Sequence, residues 1–102
     1  MEYHLKGFTT AGDDTRLFWG ERGKGLPLLL NDGIGCDGFI WKYLQPHLSE
    51  RYRTIHWHYR GHGRSGLPRD PGRIDIQAHA RDAIDLLDSL GVEKAMMVAH
   101  SM

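Results

Sequence analysis

The fold is decided by the stretch KAMMVAHSM at residues 94–102. Its run from Lys94 to Ala99 predicts a buried β-strand, and a serine follows that strand almost at once. A serine at the end of such a strand, at the entry to a sharp turn, has the placement of the nucleophile in a G-x-S-x-G elbow. Ala99 stands where the first glycine is usual, and small residues are needed there because the turn is strained. Ser101 is therefore a candidate nucleophile, with helix capping as the simpler alternative.

Composition places the chain among ordinary globular proteins. The 102 residues are enough for one domain, and 40% of them are hydrophobic. A formal net charge of zero argues against a nucleic acid or an anionic membrane as partner. No signal-peptide pattern opens the chain, and no apolar stretch nears the ~20 residues of a membrane span. Cys36 is the single cysteine, which favours a reducing compartment, and we expect a cytoplasmic protein.

Upstream of residue 94, strand and helix patterns alternate. A turn at residues 11–14 joins two strands into a hairpin that we expect at the edge of a sheet. The predicted elements are strands 3–8 and 16–22, strand 28–31, helix 39–49, strand 53–59, helix 75–90 and strand 92–99. Alternation of this kind predicts an α/β fold, with a mostly parallel sheet and a β-α-β-α-β order after the hairpin. We expect a single domain over residues 1–102.

The two predicted helices carry different end signals. Asp37 is a plausible N-cap for the first, and Pro46 should kink that helix or end it early. Asp75 caps the second helix, and Gly91 ends it. The apolar stripe of the second helix predicts its buried face, which is Ile76, Ala80, Ala83, Leu87 and Leu90. Three aspartates lie off that stripe: Asp82, Asp85 and Asp88.

Histidines cluster near the strand at 53–59. Alternation along a strand places Ile55 and Trp57 on one face and His56 and His58 on the other. Together with His62 they could form a zinc site, although no cysteine or carboxylate accompanies them at the spacing of metal ligands. Packing of aromatic and polar groups is the simpler interpretation of these histidines.

The loop after strand 28–31 is rich in glycine and offers a backbone donor. Acyl transfer needs two backbone N–H groups aimed at the developing oxyanion. Ile34, between two glycines, is the candidate for one, and Met102, which follows the serine, is the candidate for the other. The glycines at 33, 35 and 38 also match G-x-G-x-x-G, which leaves an NADP-binding module open. That interpretation is weaker because the stretch 61–66 fits the same pattern without a helix after it.

Three motifs in order resemble one known family. They are LLLNDG at 28–33 with Trp41 downstream, YRGHGRS at 59–65 and VAHSM at 98–102. This set resembles the N-terminal half of an α/β-hydrolase-fold enzyme over essentially the whole chain. The middle motif is similar to the family's D-x-R-G-x-G-x-S loop, with His58 where aspartate is usual. The first resembles its H-G oxyanion loop, with Asp32 where histidine is usual.

The resemblance implies a serine hydrolase that acts on a small-molecule ester or related acyl substrate and needs no cofactor. Ser101 would be the nucleophile, and the N–H groups of Ile34 and Met102 would form the oxyanion hole. Serine at this position favours esterase, lipase, peptidase or perhydrolase chemistry over dehalogenase or epoxide hydrolase chemistry.

In this fold the triad follows the order serine, acid, histidine, so both partners of Ser101 would lie beyond residue 102. We therefore expect the 102-residue chain to be inactive by itself, with His62 a conceivable but poor local base. The alternative is an interaction fragment that associates through the exposed edge of its last strand and is completed by another chain.

Overall fold

A computed structural model describes residues 1–33, 35, 36 and 38–101, and Ile34, Asp37 and Met102 lie outside the described residues. The strands are β1 (Leu5–Thr10), β2 (Arg16–Arg22), β3 (Leu26–Asn31), β4 (Tyr52–Trp57) and β5 (Met96–Ala99). The helices are α1 (Gln45–Leu48) and α2 (Ile76–Ser89), with 3-10 turns at Phe39–Trp41 and Pro71–Arg73. None of the helices in this part of the chain is long and apolar enough to cross a membrane.

The five strands form one mixed sheet in the order β1-β2-β4-β3-β5. β3 pairs in parallel with β4 and β5, whereas β2 pairs antiparallel with β1 and β4. The predicted α/β class and the hairpin at the sheet edge are confirmed. β1 begins and ends two residues later than predicted, and Tyr3 before it packs its ring against Gly20 of β2. A Cβ at Gly20 would lie only 2.5 Å from the Tyr3 ring.

The two faces of the sheet differ in character. The face toward α2 is an apolar core that includes Leu29, Ile55, Trp57 and Leu86. On the opposite face, toward α1, the rings of His56 and His58 lie 5.3 Å apart. The predicted alternation of β4 side chains is therefore confirmed.

α2 begins and ends where the sequence predicts. The carboxylate of Asp75 accepts a hydrogen bond from the N–H of Ala78 at 2.7 Å, and Gly91 follows the helix with a φ of 70°. The predicted buried face is wrong in part, since Ile76 and Ala80 are exposed whereas Asp82 is 1% exposed. The reason is a bidentate contact from the Arg60 guanidinium, which draws that carboxylate inward.

The single helix predicted at 39–49 is wrong. The chain instead forms the 3-10 turn Phe39–Trp41 and the one-turn helix α1. Pro46 lies in the first turn of α1, where a proline removes no intrahelical hydrogen bond, so it begins a helix rather than ending one. Gly38, with a φ of 100°, holds the N-cap position of the 3-10 turn, and the predicted cap Asp37 lies outside the described residues.

Candidate active site

Ser101 lies at the carboxyl end of β5, in a turn with unusual backbone geometry. The N–H of His100 still donates to the carbonyl of Asn31 at 3.4 Å, and the ladder with β3 ends there. Ser101 then adopts a φ of 48°, in the left-handed region. A side chain other than glycine enters that region at a cost of about 1–2 kcal/mol. Ser101 therefore combines an exposed side chain, a left-handed φ and a position two residues after the end of a parallel strand.

The glycine loop after β3 touches this turn. A Cβ built on Gly33 would lie 3.2 Å from the carbonyl oxygens of both His100 and Ser101. The contact arises because β3 and β5 are parallel neighbours and their carboxyl ends meet at one edge of the sheet. The loop and Ser101 therefore lie side by side at this edge of the sheet. The two candidate donors themselves, Ile34 and Met102, lie outside the described residues.

A buried polar chain holds the start of that loop. Nε2 of His56 lies 3.0 and 3.1 Å from the two carboxylate oxygens of Asp32, and its Nδ1 lies 2.7 Å from the Tyr3 hydroxyl. The Tyr59 hydroxyl donates to the backbone carbonyl of Asp32 at 2.6 Å. These bonds fix the residue immediately before Gly33.

Sequence reasoning named Asp32 and His56 separately and missed their pairing. The available signal was that a carboxylate ends a buried strand while a histidine lies inside the strand beside it. Because β3 and β4 are parallel with Leu30 opposite His56, the two side chains come together.

The loop at 60–66 is held by an ion-pair network. The Arg60 guanidinium binds both carboxylate oxygens of Asp82 at 2.7 Å, and it binds Asp13 at 2.8 and 3.1 Å. Hydrogen bonds from Arg60 and Thr15 lower the pKa of Asp13 from 3.8 to about 2. Hydrogen bonding to Asp82 raises the pKa of Arg60. These groups fasten the loop to α2 and to the β1–β2 turn.

The histidines considered for zinc already have other contacts. His56 meets Asp32, Nδ1 of His58 accepts the N–H of Arg64 at 2.8 Å, and Nδ1 of His62 lies 3.0 Å from the Arg60 carbonyl. Within the described part of the chain, no three histidine, cysteine or acidic side chains are grouped to hold a metal ion.

A shallow groove of about 340 Å³ lies beside Ser101, between α2 and β5. Its described lining includes Met97, Trp57 and His79, but not His62. Nδ1 of His79 has no hydrogen-bond partner among the described residues. Burial, and then the neighbouring His62, lower the pKa of His79, which favours its neutral imidazole. Sequence reasoning missed His79, whose only signal was a histidine within an amphipathic helix.

Comparison with known proteins agrees with this geometry. The model of a family described as the alpha/beta hydrolase fold matches residues 27–102. The chain belongs to the α/β-hydrolase fold family. The expected resemblance and fold class are therefore confirmed, and the match includes both glycine-rich loops and Ser101.

The chain is similar in sequence to two curated hydrolases. It is 36% identical over 91 residues to "Putative carbamate hydrolase RutD" of Azorhizobium caulinodans, covering 89% of this chain and 34% of that protein. It is 33% identical over 81 residues to epoxide hydrolase 4 of Mus musculus, covering 79% of this chain and 22% of that protein.

The crystal structure of epoxide hydrolase VrEH1 from Vigna radiata superposes with a TM-score of 0.85 at 26% identity, covering 95% of this chain and 32% of that one. The α/β-hydrolase chain thus spans about a third or less of the length of these relatives.

Proposed function

We propose that the protein is a serine hydrolase that cleaves an ester or related acyl substrate, such as a carbamate, through an acyl-enzyme. The observation that carries the proposal is the position of Ser101. It lies two residues after the parallel strand β5 with a left-handed φ of 48°, and its backbone touches the glycine loop after β3. Family membership supports hydrolase chemistry, and the match across both glycine patterns favours it over an NADP-binding module.

The proposed reaction begins with attack of the Ser101 Oγ on the carbonyl carbon. A histidine base takes the hydroxyl proton, and an acidic residue orients that base. The backbone N–H groups of Ile34 and Met102 stabilise the oxyanion. Collapse of this intermediate expels the leaving group, which receives the proton, and water then hydrolyses the acyl-serine. The family's chain order assigns the base and the acid to positions after residue 102.

A carbonyl substrate suits this site better than an epoxide. We expect the glycine loop beside Ser101 to supply a backbone donor, the N–H of Ile34, and such a donor stabilises charge on a carbonyl oxygen. One relative is named a putative carbamate hydrolase, and a carbamate is a carbonyl compound. An aspartate nucleophile would favour epoxide opening, and residue 101 is a serine.

The test is turnover by the complete polypeptide that contains residues 1–102. We expect hydrolysis of a p-nitrophenyl ester or carbamate, and Ser101→Ala should reduce kcat by about 10³-fold or more. Ser89→Ala, an exposed serine on α2, is the matched control and should leave the rate unchanged. The 102-residue chain alone should show no turnover. Full activity of the Ser101→Ala variant would refute the proposal.

A second candidate function rests on the edge of the sheet. β5 is last in the strand order, Met96 and Met97 are 55% and 59% exposed, and Met97 lines the apolar groove. A second polypeptide carrying the rest of a hydrolase domain would add strands there and cover the groove. Co-purification of such a chain would support this candidate, and a monomer in size-exclusion chromatography would contradict it.

For either function we propose a cytoplasmic location, which fractionation of cells would test.

A further inference from the structure

A buried histidine lies against the glycine loop that faces Ser101, and the proposed reaction assigns it no step. The side chains of His56, on β4, and Asp32 are 0% and 1% exposed, and Nε2 of His56 lies 3.0 and 3.1 Å from the two carboxylate oxygens. A carboxylate accepts hydrogen bonds, so Nε2 is the donor, and Nδ1 is left as the acceptor for the Tyr3 hydroxyl at 2.7 Å. The His56 ring is thus held at both of its nitrogens.

Both ends of the loop after β3 contact this ring. Asp32 begins the loop, and Gly38 ends it with a φ of 100°. A Cβ built on Gly38 would lie 2.6 Å from Cε1 and 3.0 Å from Nε2 of His56, so the Gly38 backbone packs directly against the imidazole. One side chain of the neighbouring strand therefore supports the loop at its start and at its end.

The backbone at the start of the loop connects this support to the serine. The Tyr59 hydroxyl donates to the Asp32 carbonyl at 2.6 Å, and the N–H of Cys36 donates to the Gly33 carbonyl at 3.1 Å, which closes a turn. A Cβ built on Gly33 would lie 3.2 Å from the carbonyl oxygen of Ser101. A shift of Asp32 would therefore move Gly33 relative to the serine.

We propose that His56 is a positioning residue for the hydrolase reaction. It acts through Asp32 and sets the distance between the glycine loop and Ser101, so that the N–H of Ile34 meets the developing oxyanion. This inference rests on the proposed function. Desolvation of two buried groups offsets much of the attraction between them, so the pair contributes mainly to the geometry of the loop. A displacement of about 1 Å in such a site can cost about 100-fold in rate.

The experiment is steady-state hydrolysis of a p-nitrophenyl ester by the complete polypeptide that contains residues 1–102. His56→Leu removes both hydrogen bonds of the ring and keeps an apolar side chain in its place. We expect it to lower kcat about 10- to 100-fold with KM within about twofold, because an oxyanion donor acts in the transition state. His56→Gln keeps a donor near the position of Nε2 and should restore kcat to within about fivefold of the parent.

Thr54→Val is the matched control for a loss of stability. Thr54 lies two residues before His56 on the same face of β4, its side chain is buried, and its hydroxyl donates to the Arg22 carbonyl at 2.8 Å. This variant should lower Tm and leave kcat unchanged, because its hydrogen bond lies away from the glycine loop. If His56→Leu and Thr54→Val lower kcat equally, the role of His56 is structural and the proposal is overturned.

Hydrogen exchange at the Cys36 amide reports on the loop independently of turnover. We expect exchange about tenfold faster in His56→Leu and unchanged in Thr54→Val, and unchanged exchange in both would overturn the proposal. Where position 56 tolerates no change, Tyr3→Phe makes the test, since it keeps the ring and removes the bond to Nδ1. It should lower kcat about threefold and quicken the exchange, and no change in either would refute the positioning role.

Ser101→Ala, measured beside these variants, separates this inference from the proposed function. Full activity of Ser101→Ala would refute the proposed function and the positioning role together. Loss of activity in Ser101→Ala with an unchanged kcat in His56→Leu would overturn the positioning role alone and leave the proposed function standing.

Discussion

The Arg60 network gives the sharpest stability prediction, because one guanidinium binds two carboxylates that differ in burial. The Asp82 side chain is 2% exposed and the Asp13 side chain is 44% exposed, while Arg60 itself is 4% exposed. The perturbation is a pair of single substitutions, Asp82→Asn and Asp13→Asn, which remove one negative charge each and keep the side-chain shape.

The expected costs follow from that burial. Removing one member of a buried ion pair costs about 3–5 kcal/mol, since it leaves a charge uncompensated away from water. Asp13 still neutralises part of the Arg60 charge, so Asp82→Asn should cost about 3 kcal/mol, near the low end. An ion pair open to solvent contributes about 0–1 kcal/mol, so Asp13→Asn should cost about 1 kcal/mol or less. A chain of this size should lose about 4–8 °C in Tm for each kcal/mol.

Urea denaturation at pH 7, followed by circular dichroism, measures both costs. Asp88→Asn is the matched control, since it makes the same chemical change at an exposed position of α2. We expect the control to lie within about 0.5 kcal/mol of the parent. The reasoning is refuted if Asp13→Asn costs as much as Asp82→Asn, or if Asp82→Asn matches the control.

Three further predictions test other contacts. The pKa of Asp13 in the folded protein, about 2, lies below its ordinary value of 3.8. The ionised Asp13 carboxylate therefore stabilises the fold fully above about pH 4, and this stabilisation is lost as pH falls toward 2. Asp13→Asn should flatten that part of an acid-denaturation curve. Gly38→Ala should cost at least about 2 kcal/mol in urea denaturation, because φ is 100° and the new Cβ would lie 2.6 Å from the His56 ring; a neutral result would contradict this. Ser65→Ala should cost about 1–3 kcal/mol, because it leaves the Phe18 N–H without its acceptor, and hydrogen exchange at that amide should quicken; unchanged exchange would count against the contact.

The sequence predicts well what local signals carry. Asp75 and Gly91 mark the ends of α2 because capping depends on a few adjacent residues. The order of strands and helices follows from their alternation, and the turn at Ser101 follows from a serine two residues after an apolar run. Two nearby glycines likewise predict the loop after β3 that touches this turn.

Contacts distant in sequence explain what could not be predicted. The burial of Asp82 depends on Arg60, 22 residues away, and no periodicity within the helix reports that partner. The bond between Asp32 and His56 depends on the register of two parallel strands, which the sequence pattern leaves open. The break in the helix predicted at 39–49 depends on Pro46 lying in a first turn rather than a last one, and both positions suit proline.

The most direct test of the central claim is covalent labelling of Ser101. The complete polypeptide that contains residues 1–102 is treated with a fluorophosphonate, digested and analysed by mass spectrometry. The account predicts a single phosphonylated peptide that carries Ser101, with labelling abolished in Ser101→Ala and retained in Ser65→Ala. A label on another residue, or undiminished labelling of the Ser101→Ala variant, would contradict it.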